Sequence, residues 1–412
     1  MLKKIFRIML IAVPVGIFVI PSLAFAQMEP IKIGFLAPIT GPYAQIGKDM
    51  VDGANLYLEK TGNKLGGQKI ELLVEDMEAL PATSLNKARK LVELNRIAIL
   101  TGEAFANAGY ALQPYVDSKK MPTLFPVVAS DDLTQRKRSK WIVRTSWNAS
   151  QSTHPFGEYA YKVLGYRKIA AFGFDYAFGW ELQGGFQKTF EELGGRIIQK
   201  LWCPVTTQDF SPYLPQISKD ADAVLVLLSG RLAIVLVKQY QEYGLKDKMP
   251  LVGAGTLTDE SVLPSMGDEA LGIITALHYS SALDTPVNKE FVKMYREKIG
   301  KIPSYYSEAC YTGMRWIDRA VASLKGDVKN PEKVLKALQS VQLTDTPRGP
   351  MRIDAYGNPI QNIYIRKVER VGGELQNTVV YTYPNVSQFW KYNPEEFLKQ
   401  PVYSRDYPPL KP

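Results

Sequence analysis

Short apolar strands alternate with amphipathic helices along most of the chain, and this alternation limits the fold more than any other feature of the sequence. The first repeat is an apolar strand over residues 31–36, a Gly/Pro turn and a helical pattern over residues 46–58. The same order continues with strands over 69–75, 97–101 and 123–125 and with helices over 81–95 and 107–118. Such an alternation is typical of a parallel, doubly wound α/β sheet.

A second series of the same kind follows a pause near residues 141–148. It predicts strands over 168–174, 196–204, 223–228 and 251–254, and helices over 153–164, 180–193, 211–218 and 232–243. The chain is long enough for two domains that each bury a core. We therefore predict a second α/β lobe.

The last third of the chain does not start a third parallel series. Helical patterns over 288–299, 306–324 and 331–340 should return to the first lobe, and the antiparallel strands expected over 351–354, 361–370 and 378–383 suit an edge of the second. The predicted division is 29–145 and 284–347 for lobe 1, 146–283 and 348–384 for lobe 2, and a surface tail over 385–412 that is rich in aromatic residues and proline.

The predicted fold is thus two doubly wound, Rossmann-like lobes joined by hinge crossings. Open α/β sheets bind ligands over the carboxyl ends of their strands. A chain that crosses between two such sheets should leave a ligand cleft between them, and the crossing segments should act as hinges.

The N-terminus indicates export. Three basic residues precede an apolar run over residues 8–20, and Ala24-Phe25-Ala26 supplies the small residues that an export peptidase reads. Pro14 and Gly16 interrupt the run, which is shorter than the ~20 residues that span a bilayer. We predict a signal peptide over 1–26 and a mature protein that is free in the periplasm, since no cysteine near the cleavage site could carry a lipid.

The charge of the chain does not indicate a nucleic-acid partner. The formal net charge is +9, and the one dense basic run, over 136–140, lies beside Asp131 and Asp132. We interpret this run as a solvated loop and not as a nucleic-acid patch. A monomer is expected.

The sequence also lacks the motifs of an enzyme. His154 and His278 are its two histidines, no metal-ligand spacing connects them, and neither a nucleophile elbow nor a phosphate-binding loop occurs. We predict no catalytic residues, no metal and no cofactor. Cys203 and Cys310 fall in different predicted lobes, where a disulfide would tie moving parts together, so we predict buried free thiols.

Several segments resemble leucine/isoleucine/valine-type periplasmic binding proteins, which have the type I periplasmic binding protein fold. The resemblance begins with the strand Ile33-Gly34-Phe35 and the segment Thr40-Gly41-Pro42-Tyr43-Ala44-Gln45-Ile46-Gly47, and extends in order to Gly349-Pro350-Met351-Arg352-Ile353-Asp354. It covers nearly all of residues 29–383. The resemblance implies a small-molecule ligand and a partner permease of an ABC importer.

In relatives, main-chain N–H groups and small hydroxyl groups after the third and fourth strands of lobe 1 hold the ligand carboxylate, which is anion binding at helix N-termini. The corresponding loops are residues 102–107 and 126–130, where most of the family's hydroxyl side chains are missing. The resemblance implies Asn107, Val128 and Ser130 as candidate ligand contacts. A plain helix N-cap is the alternative for Asn107.

The resemblance also implies contacts from lobe 2. Amino-acid-binding relatives pair the ligand ammonium with an acidic residue at a position within 253–256, where this chain has Thr256 and no acid. Arg231 stands where relatives tend to have an aromatic residue and could hold a carboxylate through two hydrogen bonds. The alternative is a solvent-facing arginine at a helix start.

Ile46, Phe105, Tyr176 and Tyr306 fall at positions that line the pocket in relatives. An apolar, aromatic lining suits an organic acid with an aromatic body, such as a benzoate or a cinnamate. A branched-chain or other hydrophobic amino acid is the alternative ligand. From other classes of function, a ligand-sensing protein for a signalling receptor and an exported enzyme remain as alternatives.

Overall fold

The computed structural model describes residues 29–411, within which the chain forms two sheets, each flanked by helices. The signal peptide predicted over 1–26 lies outside the described residues. No helix within the described range is both long and apolar enough to cross a bilayer.

The first sheet is parallel apart from one short edge hairpin. Its strands are β1 (Ile31–Ala37), β2 (Lys64–Leu65), β3 (Gln68–Asp76), β4 (Ile99–Gly102), β5 (Thr123–Phe125) and β6 (Ile142–Arg144). They lie in the order β2-β3-β1-β4-β5-β6, and β1 is buried in the centre. The sequence predicted no strand at β6, which has three residues and falls in the expected pause.

The helices of the first lobe come from two separate parts of the chain. The first part supplies α1 (Ala44–Lys60), α2 (Pro81–Arg89), which continues as a π-helical turn to Leu94, and α3 (Ala106–Lys119). Gly53 of α1 lies against the main chain of Ser307, so that a Cβ atom at this glycine would collide with the Ser307 carbonyl oxygen. This close approach packs α1 directly against the start of a helix from the last third of the chain.

The second sheet combines a parallel half with an antiparallel half. The parallel half is β7 (Lys168–Phe174), β8 (Arg196–Cys203), β9 (Ala223–Leu227), β10 (Leu251–Ala254) and β11 (Ile274–Leu277); the antiparallel half is β12 (Gln342–Thr346), β13 (Gly349–Ile353), β14 (Pro359–Val371) and β15 (Glu374–Val386). The order is β12-β13-β14-β11-β10-β9-β7-β8, with β15 on β14. The antiparallel strands therefore lie at an edge, as expected.

The second lobe has α4 (Ala149–Lys162), α5 (Ala177–Glu192) and α6 (Gly230–Glu242). The helix predicted over 211–218 is wrong: this segment has one 3-10 turn, Leu214–Gln216. Two prolines, Pro212 and Pro215, remove helical N–H donors there. Asp209 accepts hydrogen bonds from the N–H and hydroxyl groups of Ser211, which stabilises a turn instead.

The chain crosses between the sheets after β6, after β11 and near β12. After the second crossing it forms α7 (Pro286–Ile299), α8 (Tyr305–Ser323) and α9 (Pro331–Ser340), whose N-caps Thr285, Ser304 and Asn330 accept hydrogen bonds from N–H groups of the first turn. The lobe boundary predicted at 347/348 falls in the turn of the β12–β13 hairpin. The predicted lobe bounds stay a prediction.

The tail is packed on the protein along much of its length. It contains α10 (Pro394–Lys399), and Phe389, Phe397 and Tyr403 form a small buried cluster. Arg136, from the loop after β5, donates hydrogen bonds to the carbonyl oxygens of Phe397 and Gln400.

Cys203 ends β8 and Cys310 lies in α8, and both are buried and free. The prediction of free thiols is confirmed.

Candidate functional site

A small cavity lies where the two lobes face each other. Its volume is about 20 Å³, roughly the space of one water molecule. The lining comes from α1, from the loops after β4, β5, β7 and β9, and from the start of α8: Ile46, Ala104, Phe105, Val127, Ala129, Tyr176, Phe178, Ser229, Tyr305 and Tyr306. Those loops follow the carboxyl ends of parallel strands, where open α/β sheets bind ligands. An organic acid would need the lobes to separate before it could enter.

Lobe 1 contributes an apolar wall. The ring of Phe105 meets the edge of Tyr43 at a centroid distance of 4.9 Å, and Ile46 lies one helical turn after Tyr43. Burial raises the pKa of the Tyr43 phenol to about 12, so the group is neutral at physiological pH.

Lobe 2 contributes a second aromatic wall. Tyr176 and Phe178 stack with ring centroids 6.1 Å apart at the start of α5. Burial raises the pKa of Tyr176 well above its ordinary value, so its hydroxyl is a neutral hydrogen-bonding group.

Two adjacent tyrosines close the cavity at the start of α8. The ring centroids of Tyr305 and Tyr306 are 3.9 Å apart. The N–H of Tyr305 donates to Asp259 Oδ2 at 3.1 Å, and the hydroxyl of the N-cap Ser304 donates to Asp49 Oδ2 at 2.6 Å. These buried carboxylates, one from each lobe, fix the direction in which the helix begins.

The cavity is flanked by two helix N-termini that lack side-chain caps. Tyr176 is the N-cap of α5 and Ser229 is the N-cap of α6, both line the cavity, and neither caps its helix through its side chain. The first turn of each helix contains no acidic residue. The N–H groups and the positive end of the helix dipole at such termini favour an anion.

In lobe 1, a side chain of the protein already occupies the comparable donors. Glu103 Oε1 accepts from the N–H groups of Ala104 at 2.9 Å and Phe105 at 3.1 Å, and Oε2 accepts from the Ser84 hydroxyl at 2.7 Å. Burial raises the pKa of Glu103 to about 7. Nothing in the sequence marks Glu103 as a site residue, because a glutamate after a strand gives no signal that its side chain folds back onto its own loop.

A buried polar network joins the lobes near the first crossing. Glu181 of α5 accepts from the Tyr110 hydroxyl of α3 at 2.6 Å and from the N–H of Asp131 at 3.1 Å. Asp131 Oδ1 in turn accepts from the N–H of Ser150 in α4 at 3.1 Å. These bonds hold the lobes in the closed arrangement.

The structure brings four of the residues predicted to bind ligand together around the cavity: Ile46, Phe105, Tyr176 and Tyr306. Val128, Ser130 and Thr256 are buried just behind the lining. Ser130 donates to the carbonyl oxygen of Ala106 and Thr256 to that of Leu228, each at 2.8 Å, so these hydroxyls position the loops. Val128 packs against Gly109 of α3.

Asn107 and Arg231 lie outside the cavity lining. Each is the second residue of its helix and is exposed; Asn107 Oδ1 accepts from the N–H of Ala108, and Arg231 donates to Gln208 at 3.1 Å. Phe105, not Asn107, is the N-cap of α3. Contact of any of these nine residues with a ligand stays a prediction.

A larger groove, of about 620 Å³, lies elsewhere, between the end of α7 and the β14–β15 hairpin. Its cations are already paired: Arg296 with Glu374, Lys301 with Asp49 and Arg370 with Asp268. It is open to solvent and has few aromatic or helix-terminal groups, so the cavity between the lobes is the better candidate site.

Comparisons with known proteins identify the family. A family model described as periplasmic binding protein matches residues 30–374. The Leu/Ile/Val-binding protein homolog 6 of Brucella melitensis is 32% identical over 367 residues, 87% of this chain and 93% of the relative.

Two solved structures are similar over the same region. An ABC transporter substrate-binding protein from Sphaerobacter thermophilus is 35% identical, with a TM-score of 0.82 over 87% of this chain and 99% of its own. A solute-binding protein from Rhodopseudomonas palustris, solved in complex with 3,4-dihydroxybenzoic acid, is 32% identical, with a TM-score of 0.83 over 87% of this chain and 98% of its own.

Proposed function

Because the chain belongs to the periplasmic binding protein family, we propose that it captures a small aromatic acid between its lobes and delivers it to the permease of an ABC importer. The family model is described as periplasmic binding protein, and a similar solved structure is an ABC transporter substrate-binding protein. The proposal therefore assigns transport and no catalytic step. The ligand class is the part of the proposal that the site itself must support.

The observation that carries the proposal is an aromatic cavity beside two uncapped helix N-termini. Phe105, Tyr176, Tyr305 and Tyr306 supply ring faces and edges, and aromatic pairs add about 0.5–1.5 kcal/mol beyond the burial of area. The starts of α5 and α6 supply main-chain N–H donors for a carboxylate. An aromatic acid matches both features.

Arg231 is the proposed charged partner of that carboxylate. It lies in the first turn of α6, two residues after the cavity-lining Ser229. To reach the ligand it would give up its hydrogen bond with Gln208. A guanidinium can bind a carboxylate through two parallel hydrogen bonds.

An amino acid is the second candidate, since a curated relative is named for leucine, isoleucine and valine. Its ammonium group would need an anionic partner, yet no carboxylate is among the described residues that line the cavity. The nearest buried acid after β10, Asp259, already accepts main-chain hydrogen bonds from Tyr305 and Ser261. The site therefore favours an acid without an ammonium group.

The proposed mechanism is capture by an open form followed by closure. The cavity has room for about one water molecule when the lobes meet, so binding requires the crossings to bend. Closure around the ligand then creates the surface that a permease recognises. A sensing role would use the same motion and would differ in its partner.

A thermal-shift screen of the mature protein tests the ligand class. A ligand at about 100 times its dissociation constant raises the free energy of unfolding by ~2.7 kcal/mol. We expect shifts with benzoates or cinnamates and none with leucine-like amino acids. Stabilisation by leucine or isoleucine alone would refute the aromatic-acid assignment.

An Arg231→Ala variant should lose most of the shift with aromatic acids. The control is Arg89→Ala, because Arg89 is exposed on α2 and is not among the residues that line the cavity. Equal shifts in wild type and Arg231→Ala would mean that the helix N-termini hold the carboxylate alone.

A further inference from the structure

Two crossings between the lobes bring Trp147 and His278 together beneath the cavity. Trp147 lies between β6 and α4, and His278 follows β11. Both side chains are fully buried, and their ring centroids are 5.8 Å apart. The two residues thus form a floor built from the hinge segments.

This floor is in direct contact with the wall of the cavity. Trp147 meets Phe178 and Tyr305 edge-on, each with a centroid distance of 6.1 Å, and His278 meets Tyr305 at 5.7 Å. Phe178 and Tyr305 line the cavity and belong to opposite lobes. Separation of the lobes would draw these two rings apart and open the floor to the cleft.

Three polar atoms of the floor have no hydrogen-bond partner among residues 29–411: Trp147 Nε1, His278 Nδ1 and His278 Nε2. Unpaired buried polar atoms are uncommon in folded proteins, because each loses its hydration without a replacement. The imidazole is neutral, since burial and then the nearby Arg348 and Arg366 hold the pKa of His278 well below its ordinary value.

We propose that Trp147 and His278 form a hydroxyl-recognition subsite at the floor of the cleft, so that the protein selects acids whose ring carries a hydroxyl group. A neutral imidazole has one acceptor nitrogen and one N–H donor, and an indole has one N–H donor. A phenolic hydroxyl can donate to the His278 acceptor nitrogen and accept from Trp147 Nε1. This assignment rests on the proposed function, because it needs an aromatic acid in the cleft.

The charges around the floor favour a neutral group there. Arg348 donates to the carbonyl oxygen of Thr145 and is paired with Glu308, while Arg366 donates to the carbonyl oxygens of Gly255 and Tyr279. The two guanidinium groups oppose a cationic ligand group. Both are engaged with protein acceptors, whereas the starts of α5 and α6 remain for the carboxylate at the other end of the ligand.

An unsubstituted ring would leave all three polar atoms unpaired. Sites built to bond a hydroxyl reject analogues that lack it, because their buried polar groups then lose both water and partner. We expect a discrimination of roughly tenfold or more in favour of the hydroxylated acid.

Isothermal titration of the wild-type mature protein tests the subsite with benzoate, 3- and 4-hydroxybenzoate and 4-methoxybenzoate. The better of the two hydroxybenzoates should bind about tenfold or more tightly than benzoate. The methoxy analogue can accept but cannot donate, so it should bind more weakly than 4-hydroxybenzoate. A floor that merely holds water predicts equal affinities for hydroxylated and unsubstituted rings.

Two independent variants, Trp147→Phe and His278→Phe, test whether the preference for a hydroxyl group arises at the floor. Each variant is first checked for a native circular dichroism spectrum. The ratio of the benzoate to the hydroxybenzoate dissociation constant should fall to about threefold or less in each. Tyr279→Phe is the matched control: it removes one buried, unpaired hydroxyl next to His278, but its ring packs on Phe291 of α7. The control should keep the wild-type ratio.

The outcomes separate this subsite from the proposed function. Binding of benzoate with no preference for a hydroxyl group overturns the subsite and leaves the aromatic-acid assignment intact. An unchanged ratio in both floor variants also overturns it. If none of the acids binds, both proposals fail.

Discussion

Glu103 is an unusual residue for the position it occupies. It adopts a left-handed backbone conformation with φ of 61°, which is uncommon for a residue with a long side chain. The conformation lets its carboxylate turn back onto the N–H groups of the next two residues. In lobe 1, the Glu103 side chain therefore occupies main-chain N–H donors of its own loop. In lobe 2, the N-termini of α5 and α6 have no side-chain caps.

The first prediction concerns the pH dependence that Glu103 imposes. Burial raises its pKa from 4.5 to about 7, so the native state holds a proton that the unfolded state releases between these values. The stabilisation is therefore present below about pH 4.5 and is lost as the pH rises to about 7. Glu103→Gln should be more stable than wild type by roughly 3 kcal/mol at pH 8 and about equal at pH 4.

Chemical denaturation of both proteins across this pH range measures the difference. Other buried carboxylates, such as Asp131 and Glu181, are present in both proteins and cancel in the comparison. Glu71→Gln on β3, where the side chain is exposed, is the control. Parallel pH profiles for wild type and Glu103→Gln would show that Glu103 does not titrate in this range.

The residues that line the cavity could be predicted only where positions that line the pocket in relatives could be matched to this sequence. Phe105 and Tyr176 line the cavity because their loops follow strand ends that the sequence already indicates, and Ile46 and Tyr306 line it from the first turns of α1 and α8. Asn107 and Arg231 follow similar strand ends, but each is the second residue of its helix, and the helical phase turns it outward. That phase depends on the residue at which the helix begins, and this residue is hard to predict from the sequence.

At the scale of an element, the two helices that face the cleft begin earlier than the sequence predicts. The sequence predicts α5 from residue 180 and α6 from residue 232, and they begin at Ala177 and Gly230. Capping side chains are the usual signal of a helix start. Tyr176, the N-cap of α5, is not a capping residue type, so the sequence carries no start signal there. Ser229, the N-cap of α6, is a capping type but makes no side-chain cap bond, and the N–H donors of both helix starts remain free for a ligand. By contrast, α9 has Asn330 as its cap and Pro331 at its first position, and its predicted bounds match the structure.

The tail acts as a strap whose main anchor is Tyr403. Its hydroxyl is 3.1 Å from His154 Nε2, and its ring lies so close to Gly184 of α5 that a Cβ atom there would collide with it. The strap thereby joins α4 and α5 to the loop of Arg136 in the other lobe.

We predict that Tyr403→Ala lowers the free energy of unfolding by about 3–5 kcal/mol, as other large-to-small changes of buried aromatic residues do. Tyr403→Phe should cost about 1–3 kcal/mol, because it leaves the buried His154 without its partner. Urea denaturation provides both values. The half-exposed Tyr243 provides the control Tyr243→Ala, with a change within about 0.5 kcal/mol. If Tyr403→Ala unfolded at the wild-type urea concentration, the strap would not belong to the cooperative unit.

At the scale of the whole molecule, closure depends on a glycine that faces the opposite lobe. Gly230 begins α6 with φ of 61°, and a Cβ atom there would lie 3.2 Å from Cδ1 of Tyr43 in lobe 1. Tyr43 cannot easily retreat, because its ring is buried against Phe105.

Gly230→Ala should therefore weaken binding of an aromatic acid by roughly five- to tenfold, because the added methyl group crowds the closed form but not the open one. Gly244→Ala is the matched control: this glycine follows the same helix at φ of 62° and has open space around it. Both variants strain the backbone by about 1 kcal/mol, so a titration that found equal affinities for the two would contradict a closure-dependent site.

The architecture of the whole molecule follows from the sequence more directly than its site does. The periodic alternation of strands and helices predicts two doubly wound lobes, and the type I periplasmic binding protein fold is confirmed by the structural neighbours. Burial of apolar strands produces that pattern in every repeat. There are two short exceptions. Strand β6 has three residues, which are too few to show a period. The segment around Pro212 and Pro215 has a helical hydrophobic pattern, but its prolines lack the main-chain N–H groups that a helix needs.

Trp147 gives the molecule a built-in optical reporter. Its indole is fully buried and is held between Phe178 from one lobe and Tyr305 from the other. When the lobes part, water reaches the indole from the cleft side, and indole emission moves to longer wavelengths in a more polar environment. Six tryptophans contribute to the fluorescence of the unlabelled protein, and the contribution that Trp147→Phe removes carries the signal of how far the two halves have opened.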